Sequence, residues 1–103
     1  MDTPHYQATL SSYRLTIDNL DAALIHILAE RFRCTHKVGE LKAAHNLPEK
    51  DTGREALQLT RLKEIAQRAG LDANFVEKFM RHIIDEAVRR HGEVKASLRI
   101  RPV

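Results

Sequence analysis

The chain is poor in most of the residues that mark a chemical site at sight. It has one cysteine, Cys34, so no disulfide can close within it, and a cytoplasmic protein is expected. Its six histidines are scattered, with no metal-ligand spacing among them or with the cysteine, and no metal or cofactor is expected. Four glycines and three prolines form no phosphate-cradling loop, and no nucleophile sits in an elbow motif. Tryptophan is absent and aromatics are 5%, so a core must come mainly from aliphatic side chains within the 43% hydrophobic fraction. No apolar run approaches membrane-spanning length, and the polar opening MDTPHYQATLSSY holds no apolar signal core. A net charge of +3, with both signs scattered, falls short of the dense basic patch of a nucleic-acid binder and suits a small anion equally well.

What the chain does have is a long seam. Leu10, Ile17, Leu24, Arg31, Val38 and His45 recur every seven residues, and Tyr13, Leu20, Ile27, Cys34 and Leu41 form a second row three residues on. That is an a/d pattern over about five heptads, free of Pro and Gly from Thr9 until Gly39. It predicts an amphipathic helix over about 9–45, roughly 55 Å long at ~1.5 Å per residue. A compact domain of this size is only about 34 Å across. Either the helix breaks, near Gly39, or it pairs with a second copy; an antiparallel two-fold dimer is the first choice. Cys34, on the seam, is expected to be a small buried hydrophobe.

The rest reads as two shorter helices, giving an all-α, single-domain fold with a core over about 10–91. Residues 1 to about 8 form a polar lead. Pro48 ends the first helix. Thr52 and Glu55 have the form of a capping box, with Asp51 as rival cap. The second helix presents Leu59, Leu62, Ala66 and Ala69 on one face and stops at Gly70. Asp72 caps the third, whose stripe is Val76, Met80, Ile83 and Ala87, broadened by Phe79, Ile84 and Val88, with His91 one turn further on. Gly92 is expected to end that helix and leave 92–103 as a loosely held basic tail. Asp85 and Glu86 are expected to pair with Arg81, Arg89 or Arg90 on the same helix.

The seam carries a flaw. Arg31 sits at an a position, where burying a cation without an anion is costly. Lys42, eleven residues on, lies ~20° round the helix and ~16 Å along it. Two long side chains reaching toward each other leave a gap that fits a small dianion; the alternative is that both snorkel to water or meet acidic partners. Arg14 is ~25 Å from Arg31 along the rod and cannot reach that gap from its own chain. In an antiparallel pair crossing near residue 26, however, residue 14 of one chain faces about residue 38 of the other, between Arg31 and Lys42.

These cations and acids, in this order on helices of this length, resemble the all-helical chorismate mutases. The matching positions are Arg14 in YRLTIDNLD, Arg31 in ILAERF, Lys42 in VGELKAAH, and Asp51, Arg54 and Glu55 in DTGRE. The resemblance covers about residues 10–91 and implies an intertwined homodimer with antiparallel long helices, its pockets shared between chains. It implies the pericyclic rearrangement of chorismate to prephenate, in aromatic amino acid biosynthesis, without covalent intermediate or cofactor. Arg31 and Arg14 of the partner subunit would grip the two carboxylates, and Lys42 the ether oxygen and a carboxylate. Glu55 would accept from the ring hydroxyl, helped by the backbone N–H of Asp51, and Arg54 would add positive field. Ala87 and Val88 would line the substrate.

Two positions depart from the family pattern. Serine is often found where Ala87 stands, and glutamine is common at the place of His91, where its amide donates to the ether oxygen. Histidine can donate from a ring N–H, so His91 is expected to replace the glutamine; the alternative is an exposed histidine favoured by the helix end. Rival readings are an isochorismate–pyruvate lyase on the same scaffold, or a helical regulatory or dimerisation module of little activity. A DNA-binding dimer is the weakest, since no helix-turn-helix spacing is apparent.

Overall fold

The computed structural model describes residues 5–100, with side chains described as far as Glu93. Three helices account for nearly all of them: α1 (His5–Ala44), α2 (Thr52–Ala69) and α3 (Ala73–Ile100), with no strand among the described residues. The chain divides into two compact units, residues 1–33 and 34–103.

The first unit is helix. His5–Arg33 runs roughly 44 Å at ~1.5 Å per residue. It begins earlier than expected: nothing from His5 to Ala8 breaks a helix, so the polar lead is helical from His5 on. Within this unit the two heptad rows lie open. Leu10, Tyr13, Ile17, Leu20, Leu24 and Ile27 are between 39% and 65% exposed.

The second unit holds the end of α1, all of α2 and α3, and the core. Helix α1 continues through Gly39 instead of breaking there. It closes in a Schellman motif with Asn46 in the left-handed region (φ 54°): Leu47 N donates to Lys42 O at 2.8 Å and Asn46 N to Ala43 O at 3.3 Å. Proline 48 follows, as a residue that cannot prolong the helix. Helix α2 is capped by Asp51, whose Oδ1 accepts from Arg54 N at 3.0 Å. The expected Thr52 cap is corrected: Thr52 is already helical, and the carboxylate is the better partner for the positive end of the helix. The end of α2 repeats the Schellman geometry with Gly70 (φ 77°), Leu71 N donating to Ala66 O and Gly70 N to Gln67 O. Asp72 caps α3 through bonds from Asn74 N and Phe75 N.

The core lies where α2 and α3 face each other. Leu59 and Ala66 from α2 and Ile83, Ile84 and Ala87 from α3 are buried, members of the stripes read from the sequence. His91 is buried on the same stripe, at 6% exposure. Phe75 and Phe79 instead stack on each other at 6.1 Å, largely outside the core. Two expectations are corrected. Cys34 is exposed, because the row it belongs to is uncovered in a single chain. Helix α3 does not stop at Gly92 but runs to Ile100. A glycine inside a helix costs only about 1 kcal/mol relative to alanine, and an ion pair between Arg89 and Glu93 spans the position. Pro102 lies outside the described residues.

Candidate active site

Arg14 and Arg31 belong to the first unit; Arg14 is exposed and Arg31 half-buried. The other candidate residues belong to the second. Lys42, in the last turn of α1, is half-buried, and its Nζ donates to the backbone oxygen of Glu49 at 3.3 Å. The Schellman turn makes that bond reachable by bringing the loop back over the helix end, and two ammonium hydrogens remain for other acceptors.

Asp51, Arg54 and Glu55 occupy the cap and first turn of α2. The side chains of Asp51 and Arg54 are exposed. The Glu55 side chain is only 12% exposed and reaches across to α3, where Arg81 Nη1 donates to its Oε2 at 3.1 Å. Arg81 therefore leaves its own helix's acids alone. Glu86 pairs with Arg89 and Arg90 as expected, and these two guanidiniums, Arg89 foremost, hold its carboxyl down at about 2. The Glu55–Arg81 bond was not legible in the sequence, since 26 residues separate the partners.

Ala87 is buried and Val88 half-buried on α3, one turn before His91. The His91 ring faces the last turns of α1. Its Nε2 lies 2.8 Å from the backbone oxygen of Thr35. A carbonyl only accepts, so Nε2 carries the hydrogen, and a neutral ring then holds a lone pair at Nδ1. That nitrogen is buried without a hydrogen-bond partner among the described residues. The exposed helix-end histidine that the sequence left open is thus excluded. Gly39 is the neighbour on α1: a Cβ built there would stand 2.7 Å from His91 Cδ2 and 3.3 Å from Cγ. A glycine in mid-helix was the available signal for this close approach.

Among the described residues no group of three or more His, Cys, Asp or Glu side chains could hold a metal ion. No helix there is long and apolar enough to cross a membrane. The candidate residues thus include cations, the half-buried carboxylate of Glu55 and a buried imidazole, groups suited to gripping an anion and stabilising charge rather than to covalent attack.

Several known proteins are similar to most of this chain. A bifunctional chorismate mutase/prephenate dehydratase of Buchnera aphidicola is 30% identical over 79 residues, covering 77% of this chain and 20% of that protein. The T-protein of Haemophilus influenzae is 32% identical over 88 residues, 85% of this chain and 23% of that protein. The bifunctional chorismate mutase/prephenate dehydratase of Escherichia coli is 33% identical over 79 residues, with coverages of 77% and 20%. The chain therefore spans about a fifth of the length of the curated relatives it matches. Residues 13–92 match the family described as chorismate mutase type II, a stretch that takes in every candidate residue from Arg14 to His91, and the chain belongs to that family.

Proposed function

We propose that this chain is a chorismate mutase, converting chorismate to prephenate, and that it works in the cytoplasm as a two-fold dimer whose antiparallel α1 helices exchange Arg14. One observation carries the proposal: the family match over residues 13–92 includes cations at 14, 31, 42 and 54 and the carboxylate at 55. The uncovered heptad rows of α1 support the dimer, because a helix that leaves Ile17, Leu20 and Ile27 in water has its stabilising partner elsewhere.

The rearrangement is pericyclic and asks for no proton transfer. Catalysis then consists of holding the compact diaxial conformer and stabilising the charge that grows on the breaking ether oxygen. Arg31 and Arg14 of the partner subunit each present a planar fork to one carboxylate. Lys42 keeps one bond to Glu49 and turns its remaining hydrogens to the ether oxygen and a carboxylate. Glu55, with Oε2 held by Arg81, accepts the ring hydroxyl on Oε1, beside the Asp51 N–H. Arg54 adds positive field, and Ala87 and Val88 line the ring. His91 stands in for the common glutamine; with Nε2 bound to Thr35, it donates from Nδ1 only as imidazolium.

The direct test is loss of chorismate absorbance with purified protein, with isochorismate as the control substrate. Arg31→Ala is expected to abolish it, and a chain that leaves chorismate untouched, or works as well without Arg31, ends the proposal. Sharing of the site is tested by mixing two dead variants, Arg14→Ala and Lys42→Ala. Random exchange makes half the dimers mixed, each with one of two sites intact, so about a quarter of the original activity should return. No recovery, despite demonstrated subunit exchange, means that Arg14 serves its own chain. For His91, turnover unchanged in His91→Ala removes it from the chemistry.

A further inference from the structure

Three features of the second unit bear on one ring. Nε2 of His91 is committed to Thr35 O at 2.8 Å. The face of α1 one turn further on is bare backbone at Gly39, so close that an added Cβ would lie 2.7 Å from Cδ2, a separation real Cβ atoms essentially never show. Burial leaves the ring at 6% exposure, with Nδ1 shut off from bulk water. A histidine side chain has two rotatable bonds. Fixing one ring nitrogen on a carbonyl and pressing the adjacent ring edge against a helix removes most of that freedom.

We propose that Gly39 and the Thr35 carbonyl are positioning elements, a seat on α1 that fixes both the orientation and the tautomer of His91, so that Nδ1 is the one ring nitrogen left without a hydrogen-bond partner among the described residues. The glycine is required because the imidazole occupies the volume of its missing side chain. Any residue with a Cβ at 39 pushes the ring outward and breaks the bond to Thr35. Gly39 thus acts through His91 and touches no substrate itself. The seat also decides what the ring can recognise. Neutral His91 offers an acceptor at Nδ1, whereas the glutamine common in this family can donate without a change of charge. A ligand atom that only accepts, such as an ether oxygen, is therefore met by this chain through a protonated ring. That last step rests on the mutase reading; the seat does not.

The two are separated by the choice of measurement. Nitrogen NMR of the histidine rings in the full-length chain reports the tautomer without any assay. The expected result is neutral His91 with its hydrogen on Nε2; a hydrogen on Nδ1 overturns the seat. In kinetics, Gly39→Ala should lower kcat at least tenfold while moving KM less, since misplacing a catalytic group by about 1 Å costs up to about 100-fold. The same substitution in a His91→Ala background, where the ring is gone, should change activity less than about twofold, because the two positions are coupled only through their contact. Equal losses in both backgrounds, or none in either, overturn the proposal. Should Gly39→Ala alone fail to fold, recovery of the fold in Gly39→Ala/His91→Ala supports the contact and failure to recover overturns it. If the chain turns over no chorismate at all, the tautomer and the paired melting curves still decide for or against the seat.

Discussion

The two units of this chain use their apolar residues in opposite ways. In residues 34–103 the stripes of α2 and α3 find each other: Leu59, Ala66, Ile83, Ile84 and Ala87 are all buried, and both caps and both Schellman turns close their helices. In residues 1–33 six residues of two regular rows stand in water, Leu20 at 63% and Ile27 at 65%. Burying a Leu or Ile side chain contributes about 1.5–3 kcal/mol. The five Leu and Ile among them, left open, forgo several times the worth of any surface ion pair on the same helix, such as Glu30–Arg33. The lesson is that one amphipathic pattern is covered and the other stands exposed. A helix that satisfies its own backbone can still be half of an interface.

The largest effect should come from breaking that contrast at the open rows. Leu20→Asp places a carboxylate in each copy of the seam, near its middle. If α1 pairs with a second α1, light scattering should report loss of the dimer, circular dichroism should report loss of helix, and turnover should fall at least about 100-fold, as an unpaired charge buried at an interface demands. Leu57→Asp is the matched control in the second unit: Leu57 is 76% exposed and lies outside the core, so mass and melting temperature should hardly move. Equal effects of the two changes would mean that the exposed rows of α1 are ordinary surface.

A smaller effect is expected within the packed unit. Arg81→Ala removes the guanidinium from Glu55, whose side chain is nearly buried while that of Arg81 is 43% exposed. Part-exposure limits the loss of stability to about 1 kcal/mol, read as a shift in the urea midpoint without change of slope. If the bond also aims the Glu55 carboxylate, kcat should fall about tenfold or less, well short of Lys42→Ala. Arg81→Lys, which keeps the charge and loses the fork, should fall between the unaltered chain and Arg81→Ala. Unchanged kcat with lowered stability would leave the bond as a strut between α2 and α3 and nothing more.

How much of this is legible in the sequence depends on range. The heptad rows, the α2 and α3 stripes, the stop at Gly70 and the Asp72 cap are local patterns, and the folded chain keeps them. The buried place of His91 is legible because it continues the Ala87 stripe at helical spacing. Contacts between helices are not. Nothing near Arg81 names Glu55 as its partner over Asp85 or Glu86, and Gly39 reads as a weak point in a helix until His91 is seen against it. Thr52 loses the cap to its neighbour Asp51 because both fit the local pattern and only the helix start decides between them. Gly92 reads as a helix stop and Gly39 as the place where a break would fall, one of two alternatives, and neither interrupts its helix. Position along the chain does not say whether a glycine is there for its backbone angle, as at Gly70, or for the space it leaves, as at Gly39.

Gly92 belongs to neither kind, and that gives the smallest effect, of opposite sign. Position 92 lies inside α3, outside the left-handed region that only Gly70 occupies among the described glycines. A Cβ there would meet Glu49 Oε2 at 3.5 Å, an ordinary van der Waals separation at the end of a flexible side chain. Alanine should therefore fit without strain and gain what glycine forfeits in a helix, up to about 1 kcal/mol, largely by narrowing the unfolded ensemble. Gly92→Ala should melt a few degrees higher with activity retained, while Gly39→Ala, the same chemical change in the same unit, should melt lower. If both raise the melting temperature, the space at Gly39 is not needed by the ring; if both lower it, α3 needs its glycine for something other than conformational freedom, and the contact with Glu49 is the place to look.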